Sequence, residues 1–537
     1  MHSSGTPAVT ERDRSLAIVT QAREQQGWLE KNLKPKKITA RYPFKGKALL
    51  FATCGFGSLG DTLFGYNSGL MSGLLVNPVF VSRFFKNFGG ADGNIDAVNP
   101  SITGISVACL QASAAVGAIV AGRLGDVIGR KKCVRIGAFI YFFSAFIQVF
   151  APGFSTFVAG RTIQGLGVGF LSMTVPIIQT EIAAPNHRGL MVGIEYTCQI
   201  AGYMLSCWVD YGFYFALPND ISWQGPLFIQ IILSFILLAM SFFLPETPRW
   251  LAMNGFSTES LQTVADLHSG GDTEAEHVQK VFLEIKEAVT YETNLGKCNW
   301  SEMFTRYRKR TIVGITAQMY AQINGINIIS FYLPSTLSSA GYDDEKSLLL
   351  TAANALPYTA ATVATWWLAD RWGRKPLLMM GGLGMALLLS IVCVFTQAHL
   401  DVKTKADGQY AFVMLYNILY GFTWGPMPWL LPAEIFPLRG RSKGMALATA
   451  SNWVFNFIIG MVSPDAFAGI HGYFYLVIAG FCLSSAALTY FYYVETANHS
   501  LEEIAVAFGE QAFADCDTEV MEVIADDANS DKGRGSV

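Results

Sequence analysis

The sequence predicts an all-α integral membrane protein with twelve transmembrane helices in two related halves of six, and three observations carry that prediction. Hydrophobic residues make up 51% of the 537 positions, charged residues only 15%, and mean hydropathy is +0.33, a balance that water-soluble domains do not approach. Twelve stretches reach the roughly 20 apolar residues needed to cross about 30 Å of hydrocarbon. A charged motif in the first half recurs six stretches later in the second.

Residues 1–47 are polar and lack the apolar core of a signal peptide, so they read as a cytoplasmic tail and the first apolar stretch as the insertion signal. The stretches begin near residues 48, 102, 133, 155, 189, 223, 311, 346, 376, 409, 441 and 471. The first six define an N-terminal bundle over 48–244 and the last six a C-terminal bundle over 311–494. Between them, residues 245–310 form a hydrophilic linker in which Leu261, Val264, Leu267, Val278, Val281, Phe282 and Ile285 recur at helical spacing, predicting short cytoplasmic helices. Residues 495–537 end in an acidic, small-residue tail without apolar periodicity.

Basic residues fix the expected orientation. Lys34, Lys36, Lys37, Arg123, Arg130, Lys131, Lys132, Arg371, Arg374, Lys375, Arg439, Arg441 and Lys443 fall on one face, against few on the other, such as Arg83, Lys86 and Lys346. The positive-inside rule makes the first face cytoplasmic and puts both termini there. The sequons at Asn299 and Asn498 fall on that side, where glycosylation does not occur, and read as chance matches. Nine cysteines are scattered singly without metal-ligand spacing, and neither a metal site nor a nucleic-acid partner is expected. No matched set of nucleophile, base or cofactor loop marks the chain as an enzyme.

The repeat is specific. Leu124–Lys131 (LGDVIGRK) follows the second stretch, and Leu368–Lys375 (LADRWGRK) follows the eighth. Glu181 and Arg188 lie seven residues apart after the fourth stretch, as Glu434 and Arg441 do after the tenth. Such duplication implies two bundles related about the membrane normal with a site between them. Asp126, Arg130, Glu181, Arg188, Glu246, Arg249, Asp370, Arg374, Glu434 and Arg441 are expected to form charge pairs at the cytoplasmic ends that break when the halves rock; ordinary interfacial anchoring is the alternative.

At these residues the chain resembles the sugar porter family of the major facilitator superfamily, in a style similar to fungal members, over about Phe51 to Ile504. Further motifs carry the resemblance: Gly160 and Arg161 with Gly165, Gly167 and Gly169; Pro245–Trp250 (PETPRW); Gln322–Asn327 (QINGIN); Trp424–Trp429 (WGPMPW); and Glu434–Pro437 (EIFP). The resemblance implies the major facilitator fold and alternating-access transport of a sugar, with a monosaccharide or polyol as substrate, the lipid bilayer as setting, no cofactor, a monomer, and a plasma-membrane location. A sugar sensor that does not transport is the alternative of another class, although such members usually carry a long cytoplasmic tail.

A neutral amide both donates to and accepts from a hydroxyl without the cost of an intramembrane charge, which makes buried asparagine and glutamine the candidate sugar contacts. The resemblance puts Gln318, Gln322, Asn327, Asn452 and Asn456 at substrate-binding positions, and Gln199 stands one turn from a departed glutamine position now filled by Tyr196. Each amide alone fits a helix-to-helix hydrogen bond equally well. Trp424 and Trp429 are expected to stack on a sugar ring, and Tyr332 with Phe331 to form an outer lid. Tyr358 stands where the family has an asparagine.

Proton-coupled members of that family carry a helix-one aspartate where this chain has Asn67. An amide does not exchange protons, so facilitated diffusion is expected. Asp61 and Glu195, two other titratable groups within spans, are candidate proton sites for the alternative of proton symport; Glu195 pairing with Arg161 is the structural reading.

Overall fold

Asparagine, proline and glycine punctuation sets the helix ends. The computed structural model describes residues 45–182, 188–294, 298–437, 440–497, 504 and 507–508. The first half contains α1 (Lys47–Leu75), α2 (Pro78–Phe84), α3 (Pro100–Ile128), α4 (Arg130–Val149), α5 (Phe154–Ile182), α6 (Arg188–Tyr214) and α7 (Ile221–Met240). Asn77 and Asn99 cap α2 and α3 with their side-chain oxygens, each ahead of a proline whose missing N–H costs nothing at a helix start.

The linker holds α8 (Pro248–Met253), α9 (Ser257–His268), α10 (Glu276–Asn294) and α11 (Trp300–Phe304). Its helices dock on the arginine-rich end: Trp250 Nε1 donates to Asp126 O (2.9 Å), and the backbone of Gly46 donates to Asp266 O (2.6 Å). Asn299 stands at the start of α11, its backbone N–H donating to the Glu302 carboxylate (2.8 Å); Asn498 lies outside the described residues.

The second half contains α12 (Arg308–Ile323), α13 (Ile326–Ser339), α14 (Asp344–Trp372), α15 (Arg374–Gln397), α16 (Val402–Phe422), α17 (Met427–Ile435), α18 (Arg441–Ile470) and α19 (Phe474–Tyr492). Two of its membrane-length runs are broken. Gly325, at φ 103°, separates α12 from α13, and the segment ending in Pro426 separates α16 from α17. After α19 the chain returns to the bundle base, where Lys309 Nζ donates to Phe508 O (3.2 Å) and the Arg310 guanidinium lies 5.3 Å from the Phe508 ring centre.

Among the described residues no strand occurs, and seven helical segments are long and apolar enough to cross a membrane by length and composition. The α6, α14, α12–α13 and α16–α17 segments fall short of that measure. They carry the polar residues and breaks from which the site below is built. Each half packs internally, α1 on α6 and α3 on α5 in the first, α12 on α18 and α15 on α19 in the second. Between halves, α3 meets α18, α6 meets α14, and α1 meets α13.

Candidate functional site

Between the halves lies a small cavity of about 40 Å³, tighter than the roughly 300–1,000 Å³ usual for small-molecule sites. Its first-half wall is Phe64 and Ser68 of α1 with Tyr196, Gln199 and Tyr203 of α6. Spacings of three and four put those last three residues on one helix face. The facing wall is Gln322, Asn327, Tyr358, Tyr420, Trp429 and Asn456. The break at Gly325 turns Asn327 back, so that its amide donates to Gln322 Oε1. Asn456 Oδ1 is buried without a hydrogen-bond partner among the described residues, and Tyr203 Oη, near Cys207 and Ser330, meets none at bonding geometry. A buried polar group left unmatched costs about 1–3 kcal/mol, so both are poised to receive a ligand hydroxyl.

Four sequence-selected residues stand outside this wall. Gln318 Nε2 donates to Pro428 O (2.9 Å) and its Oε1 accepts from Asn452 Nδ2 (2.6 Å), which ties α12 to α17 and α18. Trp424 is buried against α15, its Nε1 donating to Leu378 O (2.8 Å). Tyr332 crosses from α13 to α18, donating to Gly460 O (2.8 Å), and packs with Phe331 among first-half residues such as Tyr66 and Leu70. Tyr203 and Tyr420 were not selected from sequence, although Tyr203 sits one turn beyond Gln199.

At the arginine-rich end the two halves repeat one construction. Arg130 Nη2 lies 3.1 Å from Asp126 and 3.5 Å from Glu181, while Arg374 Nη2 lies 2.8 Å from Glu434. Glu246 Oε1 accepts from the backbone N–H of Arg130 (2.8 Å) and Lys131 (3.3 Å). Glu495 does the same for Arg374 (2.9 Å) and Lys375 (3.0 Å). A carboxylate thus caps the positive N-terminal end of α4 and of α15. Gly129 (φ 99°) and Gly373 (φ 87°) make room: a Cβ on either would run into the capping carboxylate. Glu495 was missed as the partner of Glu246, and its signal was the Glu-Thr pair at 246–247 and 495–496. Arg249 makes no ion pair with Glu181 among the described residues. The side chains of Arg188 and Asp370 lie outside the described residues, and Arg441 opens α18.

Behind the cavity the first half holds buried polar groups. Asn67 Nδ2 donates to Gln164 Oε1 (2.6 Å), and Gln164 Nε2 to Gln230 Oε1 (3.2 Å), a chain of neutral amides. Arg161 is 1% exposed, donates to Val107 O (3.4 Å), and makes no ion pair among the described residues, Glu195 included. Glu195 instead meets Asp61 across α1 and α6, carboxyl to carboxyl. With its amide turned to satisfy both ends, Gln179 donates to Glu195 Oε2 (3.2 Å) and accepts from Ser58 Oγ (3.1 Å). Asp210, further along α6, is also buried, with neither carboxyl oxygen bonded among the described residues.

Two helical bundles in repeat, an amide-lined cavity between them and clustered charge pairs at one end are features of a membrane transporter. The chain belongs to the family described as "Sugar (and other) transporter", which it matches over residues 53–508. It is 30% identical to the MFS-type transporter criB of Aspergillus cristatus over 465 residues, covering 86% of this chain and 94% of that one. It is 29% identical to the high-affinity glucose transporter of Kluyveromyces lactis, covering 82% of each. In fold it is similar to the proton:xylose symporter XylE of E. coli (TM-score 0.73, 23% identity, 86% and 99% coverage). The protein is therefore an integral membrane protein of the transporter class.

Proposed function

We propose that the chain carries a monosaccharide across the plasma membrane by alternating access, with all twelve stretches spanning and both termini cytoplasmic. The observation that carries the sugar reading is the enclosed wall of Gln199, Gln322, Asn327 and Asn456 with Trp429, amides for hydroxyls and a ring for stacking. The kinship with a glucose transporter supports it. The charge pairs around Arg130 and Arg374 act as inner gates, made when the cytoplasmic end is closed and released when the halves rock open.

Facilitated diffusion is the mechanism proposed, because Asn67 sits in a neutral amide chain that has no group to carry a proton. Proton symport is the second reading, and the Asp61–Glu195 contact favours it. Initial uptake of labelled glucose in yeast lacking its own hexose carriers, with and without a protonophore, tests both. Uptake that survives the protonophore supports the uniporter; uptake abolished by it, and made insensitive by Glu195→Gln, supports the symporter. No uptake by protein present at the cell surface defeats the glucose assignment.

A further inference from the structure

We infer that the hydroxyl bridge between Tyr196 and Tyr358 selects the ligand class: a small ring compound hydroxylated along one edge and apolar on the opposite face, such as a deoxy or O-methyl sugar, in preference to a fully hydroxylated hexose. The inference rests on the sugar-transport reading above. Tyr196 reaches from α6 to α14, where the two Oη atoms lie 2.9 Å apart. Its ring fills the space over Gly425 so closely that a Cβ there would come within 2.5 Å of it. One hydroxyl donates to the other, so the bridge leaves a single O–H to spare, and the two rings, with Phe64 beside them, line that side of the cavity chiefly with carbon.

The hydroxyl of Tyr420 is likewise turned away, donating to Ala321 O (2.8 Å). The groups left for a ligand are Tyr203 Oη, Asn456 Oδ1, Gln199 and the mutually bonded Gln322 and Asn327. A hexose carries hydroxyls around its whole ring, and those facing the bridge would lose water with at most the one spare O–H to replace it. A hydrogen or methyl at the same position loses nothing and packs on the rings.

The test is uptake into proteoliposomes of purified full-length protein, comparing D-glucose with its series of monodeoxy and O-methyl analogues. At least one analogue is expected to exceed glucose by about tenfold in kcat/KM, and Tyr196→Gln with Tyr358→Asn to reverse that ratio. Tyr196→Phe with Tyr358→Phe, which keeps both rings and removes both hydroxyls, should retain the preference, so the wild type and this variant decide the matter if the other double variant fails to fold. Glucose surpassing every analogue in the wild type overturns the inference while leaving sugar transport standing. An unchanged ratio in an active variant carrying Tyr196→Gln and Tyr358→Asn does the same. Failure of folded, membrane-inserted protein to carry glucose or any analogue overturns the sugar reading and this inference with it.

Discussion

Two of the seams between the halves, α3–α18 and α6–α14, are related by the internal repeat, yet their chemistry differs. Along α3–α18 the contact is made of small residues: Gly104 lies against the backbone of Met461, Ala108 against Gly460, and Gly122 against Ala446. Its hydrogen bonds stand at the two ends, from Ser101 to Asp465 (3.1 Å) and from Ser442 to Asp126 (3.1 Å). Along α6–α14 the contact is threaded with polar bonds: Tyr196 to Tyr358, Thr362 to Thr197 (3.0 Å) and Trp366 to Thr197 (3.1 Å). A seam of close backbone approach tolerates tilting about itself but no added volume, whereas directional bonds must be exchanged one for another as helices separate. Duplicating a bundle therefore did not duplicate the interface; the first seam is built as a pivot and the second as a latch.

The largest expected effect breaks the pivot. Gly104→Leu should abolish uptake at unchanged surface expression, since a side chain there meets the Met461 main chain and displaces α18; full uptake by this variant would refute a tight seam. Next, Glu434→Gln removes the negative charge 2.8 Å from the buried Arg374 guanidinium and should lower stability by roughly 3 kcal/mol, read by thermal unfolding in detergent. Glu181→Gln, whose contact with Arg130 is 3.5 Å, should cost less.

Weakening the latch is milder. Thr362→Val removes one hydrogen bond at the α6–α14 seam, and an effect of about 1 kcal/mol, roughly fivefold in turnover, is expected without loss of folded protein. The same-sized change in both seams from equally conservative substitutions would erase the distinction between them.

The smallest effect is pH-dependent. Burial pushes the Glu246 carboxyl up to about 7, against the pull of Arg130 and of the backbone N–H groups of Thr247, Lys131 and Arg130. Its unfolded value is about 4.3, so between about pH 4.3 and 7 the folded state holds a proton that the unfolded chain has released. The contribution to stability is full below that window and falls as pH rises through it. The melting temperature of the wild type should drop from about pH 5 to about pH 7 relative to Glu246→Gln.

Helix positions were legible in the sequence because hydrocarbon thickness forces runs of fixed length, and the Asp126 and Asp370 repeat located the charged end before any coordinate. Direction within the bundle was not. Gln318 and Gln322 share a helix face in the ideal pattern, yet only Gln322 lines the cavity, because Gln318 is taken up by Pro428 O and Asn452 while Gln322 meets Asn327 beyond the break at Gly325. Tyrosines in apolar runs read as packing, which hid Tyr203 and Tyr420. Asp210 was passed over because its lack of a bonded partner is a property of the packed bundle.

The cap that Glu495 places on α15 also bears on how the protein is handled. The residue lies beyond the last long helix, yet it completes the C-terminal half as Glu246 completes the other, and Phe508 is held at the base by Lys309 and Arg310. A fluorescent fusion or affinity tag joined before residue 495 would leave one bundle with an open helix end, while one joined after residue 508 would spare both anchors.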